Sequence, residues 1–363
     1  MKQTIGVDAR PLSYGLTGNS RYLYEVLKQI DTDKYEFILF SNKEIHPVFE
    51  PLFTEYKFKR AKIQSGLGFV WLNFYLPKSF SEFNIDLFWG TLQLLPFRRL
   101  DIPSVVNYHD LNFISAKETM TFSNYLQHKV LSRFTLANAD RIFCLSKNTY
   151  NEISEYRQSV TYKLRVVYPG VSRNLDNVGD PIFKDYLFSI GTLEPRKNLT
   201  TLIEAFIQLK EKQPEYPYRL VLAGRLGWGE ESLTKKLKNG EFSELGIEFV
   251  ENPDEKVLTN LYRNCKFFLF PSVHEGFGLP LLEAMVERKI CIATDIPVFR
   301  EILDPSIDIL VEDTKNPTNW AKAFLELANR KTSVREFSEK TWSWKESARK
   351  IEVELDSLLS RKK

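Results

Sequence analysis

Short apolar runs alternate with helical patterns along nearly the whole chain, and this alternation restricts the folds open to it more than any other feature. Residues 5–7, 37–40, 87–89, 105–108, 142–145 and 165–167 read as short buried strands, with helical patterns such as 21–30 and 122–137 between them. A second series follows at 186–190, 220–223, 247–250, 267–270, 291–293 and 309–311. Strands apolar on both faces and separated by helices predict parallel sheets covered on both sides. The expected class is α/β, with two doubly wound Rossmann-like units. The segment 172–181 is polar, carries Asn, Asp, Gly and Pro, and lacks apolar periodicity, so it divides the series. The predicted domains are residues 1–172 and 182–342. A terminal segment, 343–363, follows, in which Trp344, Ala348, Ile351, Leu355, Leu358 and Leu359 keep helical spacing.

At 363 residues the chain exceeds one ordinary core and suits two. Its 43% hydrophobic and 27% charged residues are those of a globular protein, and no run reaches the roughly 18 apolar residues of a membrane span. The N-terminus enters a strand directly and lacks the apolar core of a signal peptide. Cys144, Cys265 and Cys291 sit unpaired by spacing in apolar runs and read as buried thiols of a reducing compartment. A cytoplasmic protein is expected. With four His and no paired-cysteine motif, no zinc site is expected.

Charge is uneven. Residues 1–175 carry a net +6 and residues 176–363 a net −3. The cluster 57–62 and the triplet Phe97-Arg98-Arg99 lie in the basic half. A solvated basic face is the plain reading; contact with an anionic membrane surface or an acidic lipid-linked acceptor is the functional one. No nucleic-acid motif accompanies the charge. Asp31-Thr32-Asp33 lies between a helix and a strand, where a turn accounts for it without a metal.

Two loops carry candidate chemistry. Pro271-Ser-Val-His-Glu275-Gly-Phe277-Gly278-Leu279-Pro-Leu-Leu-Glu283 joins a buried strand to a helix opened by proline. A strand, a glycine turn and a helix N-terminus together offer backbone N–H groups and a positive dipole end to a phosphate. Glu275 falls in the loop and Glu283 in the first helical turn, where both would face one small space and accept sugar or ribose hydroxyls. Gly191-Thr-Leu-Glu-Pro-Arg196-Lys197-Asn198 follows another strand. An Arg fork and a Lys point charge together suit a diphosphate, with Asn198 placed to cap the next helix.

These stretches resemble the family-4 retaining glycosyltransferases of the GT-B fold, whose hallmark is Glu, seven residues, Glu, with Gly-Phe-Gly after the first Glu. The resemblance covers nearly the whole chain and is strongest over 186–300. It implies two units facing across a cleft, the acceptor on the first and a nucleotide-sugar donor on the second, with the terminal helix crossing back to the first. It implies that Glu275 holds the donor sugar, that the amides of Phe277, Gly278 and Leu279 contact sugar and phosphate, and that Glu283 binds ribose. Arg196 and Lys197 would stabilise the departing diphosphate, so no metal or other cofactor is expected. Gly191, Gly224 and Asn252 would frame the nucleotide. In the first unit, Gly18 would approach the donor phosphates, and His109 would lie near the sugar's C6 hydroxyl and anomeric centre without acting as a base. The family's second loop glycine is Ser20 here, which puts a close backbone approach at that position in question.

Asp8-Ala-Arg10-Pro and the following glycine loop look most like the mannosyl- and rhamnosyltransferase-like branch, which points to GDP-mannose first. Acceptor-facing residues would lie in loops 60–80 and 91–120, where the aromatic run 69–75 reads as core, sugar platform or membrane contact. Two other readings stay open. A GT-B epimerase would convert donor alone into a new nucleotide sugar. A catalytically silent partner subunit would bind without transfer.

Overall fold

The computed structural model describes residues 2–61, 66, 68–115, 122–174, 177–329, 335–338 and 341–360. Lys62 of the basic cluster, parts of loops 60–80 and 91–120, parts of the segment 172–181 and the tail of the terminal segment lie outside the described residues. The chain divides into two compact units, Met1–Gly170 with Lys340–Lys363, and Val171–Glu339.

The first unit holds seven parallel strands: β1 (Gln3–Asp8), β2 (Tyr35–Phe40), β3 (Lys59–Arg60), β4 (Leu87–Gly90), β5 (Ser104–Tyr108), β6 (Arg141–Cys144) and β7 (Leu164–Val166), in the order β3-β2-β1-β4-β5-β6-β7. Their central members are buried throughout, as strands covered on both faces must be. The edge strand β3 comes from the basic cluster, which sequence periodicity does not mark as a strand. Lys59 pairs with Glu36 and Arg60 with Glu50, so part of that cluster is neutralised at a charged sheet edge.

The helix Gly18–Gln29 begins three residues before the apolar period does, because Thr17 and Ser20 close a capping box. Ser20, where the resembled family has glycine, is buried and donates from Oγ to the Gly15 carbonyl at 2.6 Å. The aromatic run divides: Trp71 and Leu72 are core, whereas Phe69, Phe74 and Tyr75 are exposed. Asp31 Oδ1 accepts the amides of Asp33 and Lys34 at 2.8 and 3.2 Å, which makes the Asp-Thr-Asp segment a backbone turn.

The C-terminal helix Trp344–Leu359 belongs to this unit and packs on the helix Gly18–Gln29. Trp344 meets the Tyr22 ring edge-on at 5.9 Å, and Ser347 Oγ donates to the Tyr168 carbonyl at 2.5 Å. Glu354 receives Arg141 at 2.5 Å and Arg165 at 2.6 Å. Burial works against the Glu354 carboxylate, and hydrogen bonds from Arg141 and Arg165 overcome it, so its pKa falls. Glu354→Gln should destabilise the protein by about 2 kcal/mol, because Arg141 keeps its burial and loses its counter-charge. Unchanged guanidinium unfolding would contradict this.

The second unit holds β8 (Tyr186–Ile190), β9 (Arg219–Gly224), β10 (Ile247–Glu251), β11 (Phe267–Phe270), β12 (Ile290–Thr294) and β13 (Ile309–Val311), all parallel, in the order β10-β9-β8-β11-β12-β13. Helices such as Leu199–Lys212 and Pro317–Asn329 pack together over an apolar core. Both sheets reverse direction of winding once, between β1 and β4 and between β8 and β11. In open α/β sheets that switch point leaves a crevice at the carboxyl ends of the strands. Cys144, Cys265 and Cys291 are all buried and free.

Candidate active site

In the second unit the two motif loops leave the carboxyl ends of β8 and β11, the strands that flank its switch point. They are joined by their backbones: the Val273 amide donates to the Arg196 carbonyl at 3.0 Å. Glu275 is buried at the centre, 9% exposed. Arg196 Nη1 donates to its Oε2 at 3.1 Å, and Lys197 Nζ donates to its Oε1. Burial alone would push the Glu275 carboxyl up; the charges of Lys197 and Arg196 outweigh it and hold the group at about 2. Glu194 receives the rest of the Arg196 fork, at 3.1 Å from Nε and 2.9 Å from Nη2. Lys197 Nζ also stands 5.4 Å from the centre of the Phe270 ring. The result is a buried carboxylate flanked by two cations that stay partly accessible at 21% and 14%.

Two further loops, after β9 and β10, are laced to the Arg196 loop and to each other. The Gly191 amide donates to the Ala223 carbonyl at 3.0 Å, the Leu193 amide to Arg225 at 2.9 Å and the Asn252 amide to Gly224 at 2.8 Å. Gly224 has φ +149°, and a Cβ there would lie 1.9 Å from the Gly191 carbonyl oxygen. Its glycine identity is therefore fixed by loop-on-loop contact within the unit. Asn252 is exposed, with φ +48°.

Past the Gly-Phe-Gly turn, Phe277 is buried and Gly278 adopts φ +118° at the start of the helix Leu279–Val286. The first amides of a helix have no partner inside it, so the turn directs N–H groups at its own N-terminus. Glu283 is the fifth helical residue, which corrects the expected first-turn position to the second turn. Its Oε2 accepts the Tyr262 hydroxyl at 2.7 Å. Asn198 also differs from expectation. It occupies the cap position of the helix Leu199–Lys212 with φ +53° but makes no side-chain cap, because its amide reaches the Thr314 carbonyl at 2.9 Å and its Oδ1 accepts Thr201 at 2.7 Å. Glu194, Tyr262 and Thr314 were missed from sequence. Only Glu194, two residues before Arg196, had a local signal.

His109 and Gly18 lie in the first unit. His109 follows β5; its Nε2 lies 2.8 Å from the Thr91 carbonyl, which can only accept, so Nε2 carries the proton. Burial pushes the imidazole pKa down against the pull of the Thr91 carbonyl and Asp110, so the ring is neutral at pH 7. His109 lines a cavity of about 350 Å³ with Arg10, Asn19, Gln93, Asp110 and His128. Arg10 is held by a two-pronged pair with the fully buried Asp8, 2.6 Å at its shortest. Gly18 opens its helix, and a Cβ there would meet nothing within 4 Å.

Two parallel sheets, each wound about a single switch point, are the two Rossmann-like domains expected of a GT-B protein, and comparison with known proteins agrees. The description "Glycosyltransferase Family 4" matches residues 16–175 and "Glycosyl transferases group 1" matches residues 180–350. An uncharacterized glycosyltransferase of Methanocaldococcus jannaschii is 27% identical over 95% of this chain and 96% of its own. The O-antigen chain mannosyltransferase B of Escherichia coli is 38% identical over 28% of this chain and 26% of its own length. HepE from Anabaena, solved in complex with UDP and glucose, shares the fold with a TM-score of 0.65 at 16% identity, over 99% of this chain and 100% of that one. The chain belongs to the family-4 glycosyltransferases. No described helix is long and apolar enough to cross a membrane.

Proposed function

We propose that the chain is a retaining, metal-independent hexosyltransferase of bacterial polysaccharide synthesis. It moves a hexosyl group, mannose first, from a nucleotide diphosphate sugar to a hydroxyl of a saccharide or lipid-linked saccharide acceptor, working in the cytoplasm at an anionic membrane surface. The observation that carries this reading is the cluster of Glu275, Arg196 and Lys197 at the switch point of the second sheet. In the proposed reaction the acceptor oxygen bonds to the anomeric carbon from the face that the diphosphate leaves. The bond from that carbon to the phosphate oxygen breaks, and the leaving phosphate takes the acceptor proton. Arg196 and Lys197 stabilise the charge that builds on the diphosphate, the largest electrostatic contribution. Glu275 holds sugar hydroxyls and faces the positive charge developing at the anomeric carbon. Glu283 takes the ribose. The helix beginning at Leu279 contributes amides and its dipole.

Mannose is supported by likeness to an O-antigen chain mannosyltransferase over about a quarter of each chain. The solved relative named with UDP and glucose keeps the base a question for experiment. A panel of GDP-mannose, UDP-glucose, UDP-N-acetylglucosamine and dTDP-rhamnose, read by thermal shift and donor hydrolysis, decides it. One donor should stabilise the protein and be hydrolysed slowly. Conversion of donor into another nucleotide sugar would instead support an epimerase. Turnover should be the same with and without EDTA, since the two cations supply the charge that a divalent ion would otherwise give; an absolute Mn²⁺ or Mg²⁺ requirement would contradict that.

A further inference from the structure

The ring and the hydroxyl of Tyr262 do different things. Tyr262 lies in the last turn of the helix Glu255–Asn264 and is 4% exposed. Phe188 of β8 meets its ring edge-on, with centres 5.1 Å apart and planes at 87°. Phe268 of β11 lies 5.3 Å away at 42°. Phe188 and Phe268 are partners in the register of those two strands, which flank the switch point. The ring is thus packed on a neighbouring pair of aromatic side chains, a role that phenylalanine would fill as well. A buried hydroxyl costs stability unless it is bonded, and this one is: it donates to Glu283 Oε2 at 2.7 Å.

Glu283 belongs to the helix Leu279–Val286, which follows β11. A long carboxylate side chain that is free to turn must be ordered each time it takes a ligand, and affinity falls by that cost. The Tyr262 hydroxyl fixes one of its oxygens beforehand. The next residue makes a second tie between the same helices: Arg263 Nη2 donates to Glu287 Oε1 at 3.5 Å, one turn beyond Glu283, and to the Asn174 carbonyl at 2.6 Å. Sliding or turning one helix against the other would break both ties. A neutral hydroxyl also holds the carboxylate without cancelling its charge, as an ion-pair partner would, and so keeps it a strong acceptor.

We infer that Tyr262 is a positioning residue for nucleotide recognition. By holding Glu283 Oε2 it aims the other carboxylate oxygen at the ribose hydroxyls, and so sets how strongly the site prefers a ribonucleotide to one that lacks them. Tyr262 acts through Glu283 rather than on the substrate. The inference rests on the ribose role proposed above for Glu283. A tyrosine kept for packing alone would need the ring and not the hydroxyl, and the two roles part on that atom.

Calorimetric titration with GDP and UDP, each beside its 2′,3′-dideoxy form, and with inorganic pyrophosphate tests it. The wild type should bind one ribonucleotide at least about tenfold more tightly than its dideoxy form, the scale of one hydrogen bond to a charged group. Tyr262→Phe keeps the ring and both aromatic contacts, so it should fold and melt close to the wild type. Its affinity for the ribonucleotide should fall about tenfold, while its affinities for the dideoxy form and for pyrophosphate stay as in the wild type. The preference for ribose then disappears. Added to Glu283→Ala, Tyr262→Phe should cause no further loss of preference. A preference that survives Tyr262→Phe would overturn the inference. So would an equal loss of affinity for all three ligands, the mark of a packing role. A wild type that binds pyrophosphate but does not distinguish ribose from its dideoxy form would remove the role of Glu283 and the inference with it. A wild type that binds neither nucleotide nor pyrophosphate would overturn the nucleotide-sugar site itself.

Discussion

Glu275→Gln should cut transferase turnover at least about a hundredfold, the scale of removing one preorganised electrostatic group from an active centre. The same variant should bind nucleoside diphosphate as tightly as the wild type or more so. In the free protein Lys197 and Arg196 are both engaged by this carboxylate, and a diphosphate must compete with it for them. Taking the negative charge away removes that competitor and leaves two cations facing one another. Turnover and diphosphate affinity should therefore move in opposite directions, which a merely misfolded site would not do. More than about a tenth of the activity remaining, an effect under roughly 1.4 kcal/mol, would rule out the role given to Glu275. The charge also has a stability signature. The Glu275 pKa falls from an ordinary 4.5 to about 2 on folding. Its contribution is fully present above pH 4.5 and is lost as pH falls toward 2, because the unfolded state takes up the proton first. The melting temperature of Glu275→Gln should accordingly depend less steeply on pH across that interval.

Gly224→Ala should be the most damaging small substitution in the second unit. The new methyl would sit 1.9 Å from the Gly191 oxygen and 2.8 Å from its carbonyl carbon, both backbone atoms with nowhere to turn, and alanine would have to adopt φ +149°. Accommodating it means parting the loops after β8 and β9, on which Arg196 and Lys197 depend. The expected result is a fall in melting temperature on the order of 10 °C, or little soluble protein. Gly18→Ala is the control, since a methyl there meets nothing within 4 Å, and it should melt as the wild type does. Similar melting of the two variants would show that the loop contact does not matter.

The parallel strands were legible because each is buried on both faces and so reads as a short apolar run; 267–270 and 186–190 needed nothing more. The strand Lys59–Arg60 was not, since an exposed two-residue edge has no apolar period and exists only by pairing with Ile38 and Leu39. The pairing of Arg196 and Lys197 with Glu275 spans 79 and 78 residues. Local sequence suggests the residue types but not that one carboxylate occupies both cations. Asn198 shows the opposite failure. Its position before a helix is a good cap signal, yet a backbone carbonyl 116 residues away takes its amide. The resemblance sets Gly224 in a loop that frames the nucleotide, and only the folded loops reveal that its close neighbour is Gly191.

The central claim, that Arg196, Lys197 and Glu275 form a nucleotide-sugar site, is tested most directly by calorimetric titration of the wild type and Lys197→Ala with GDP and UDP. One nucleotide should bind the wild type without added metal, and Lys197→Ala should weaken it by at least about tenfold, the loss of one charge-assisted contact of roughly 1.5 to 3 kcal/mol. Failure of both nucleotides to bind the wild type, or equal binding by the variant, would contradict the claim.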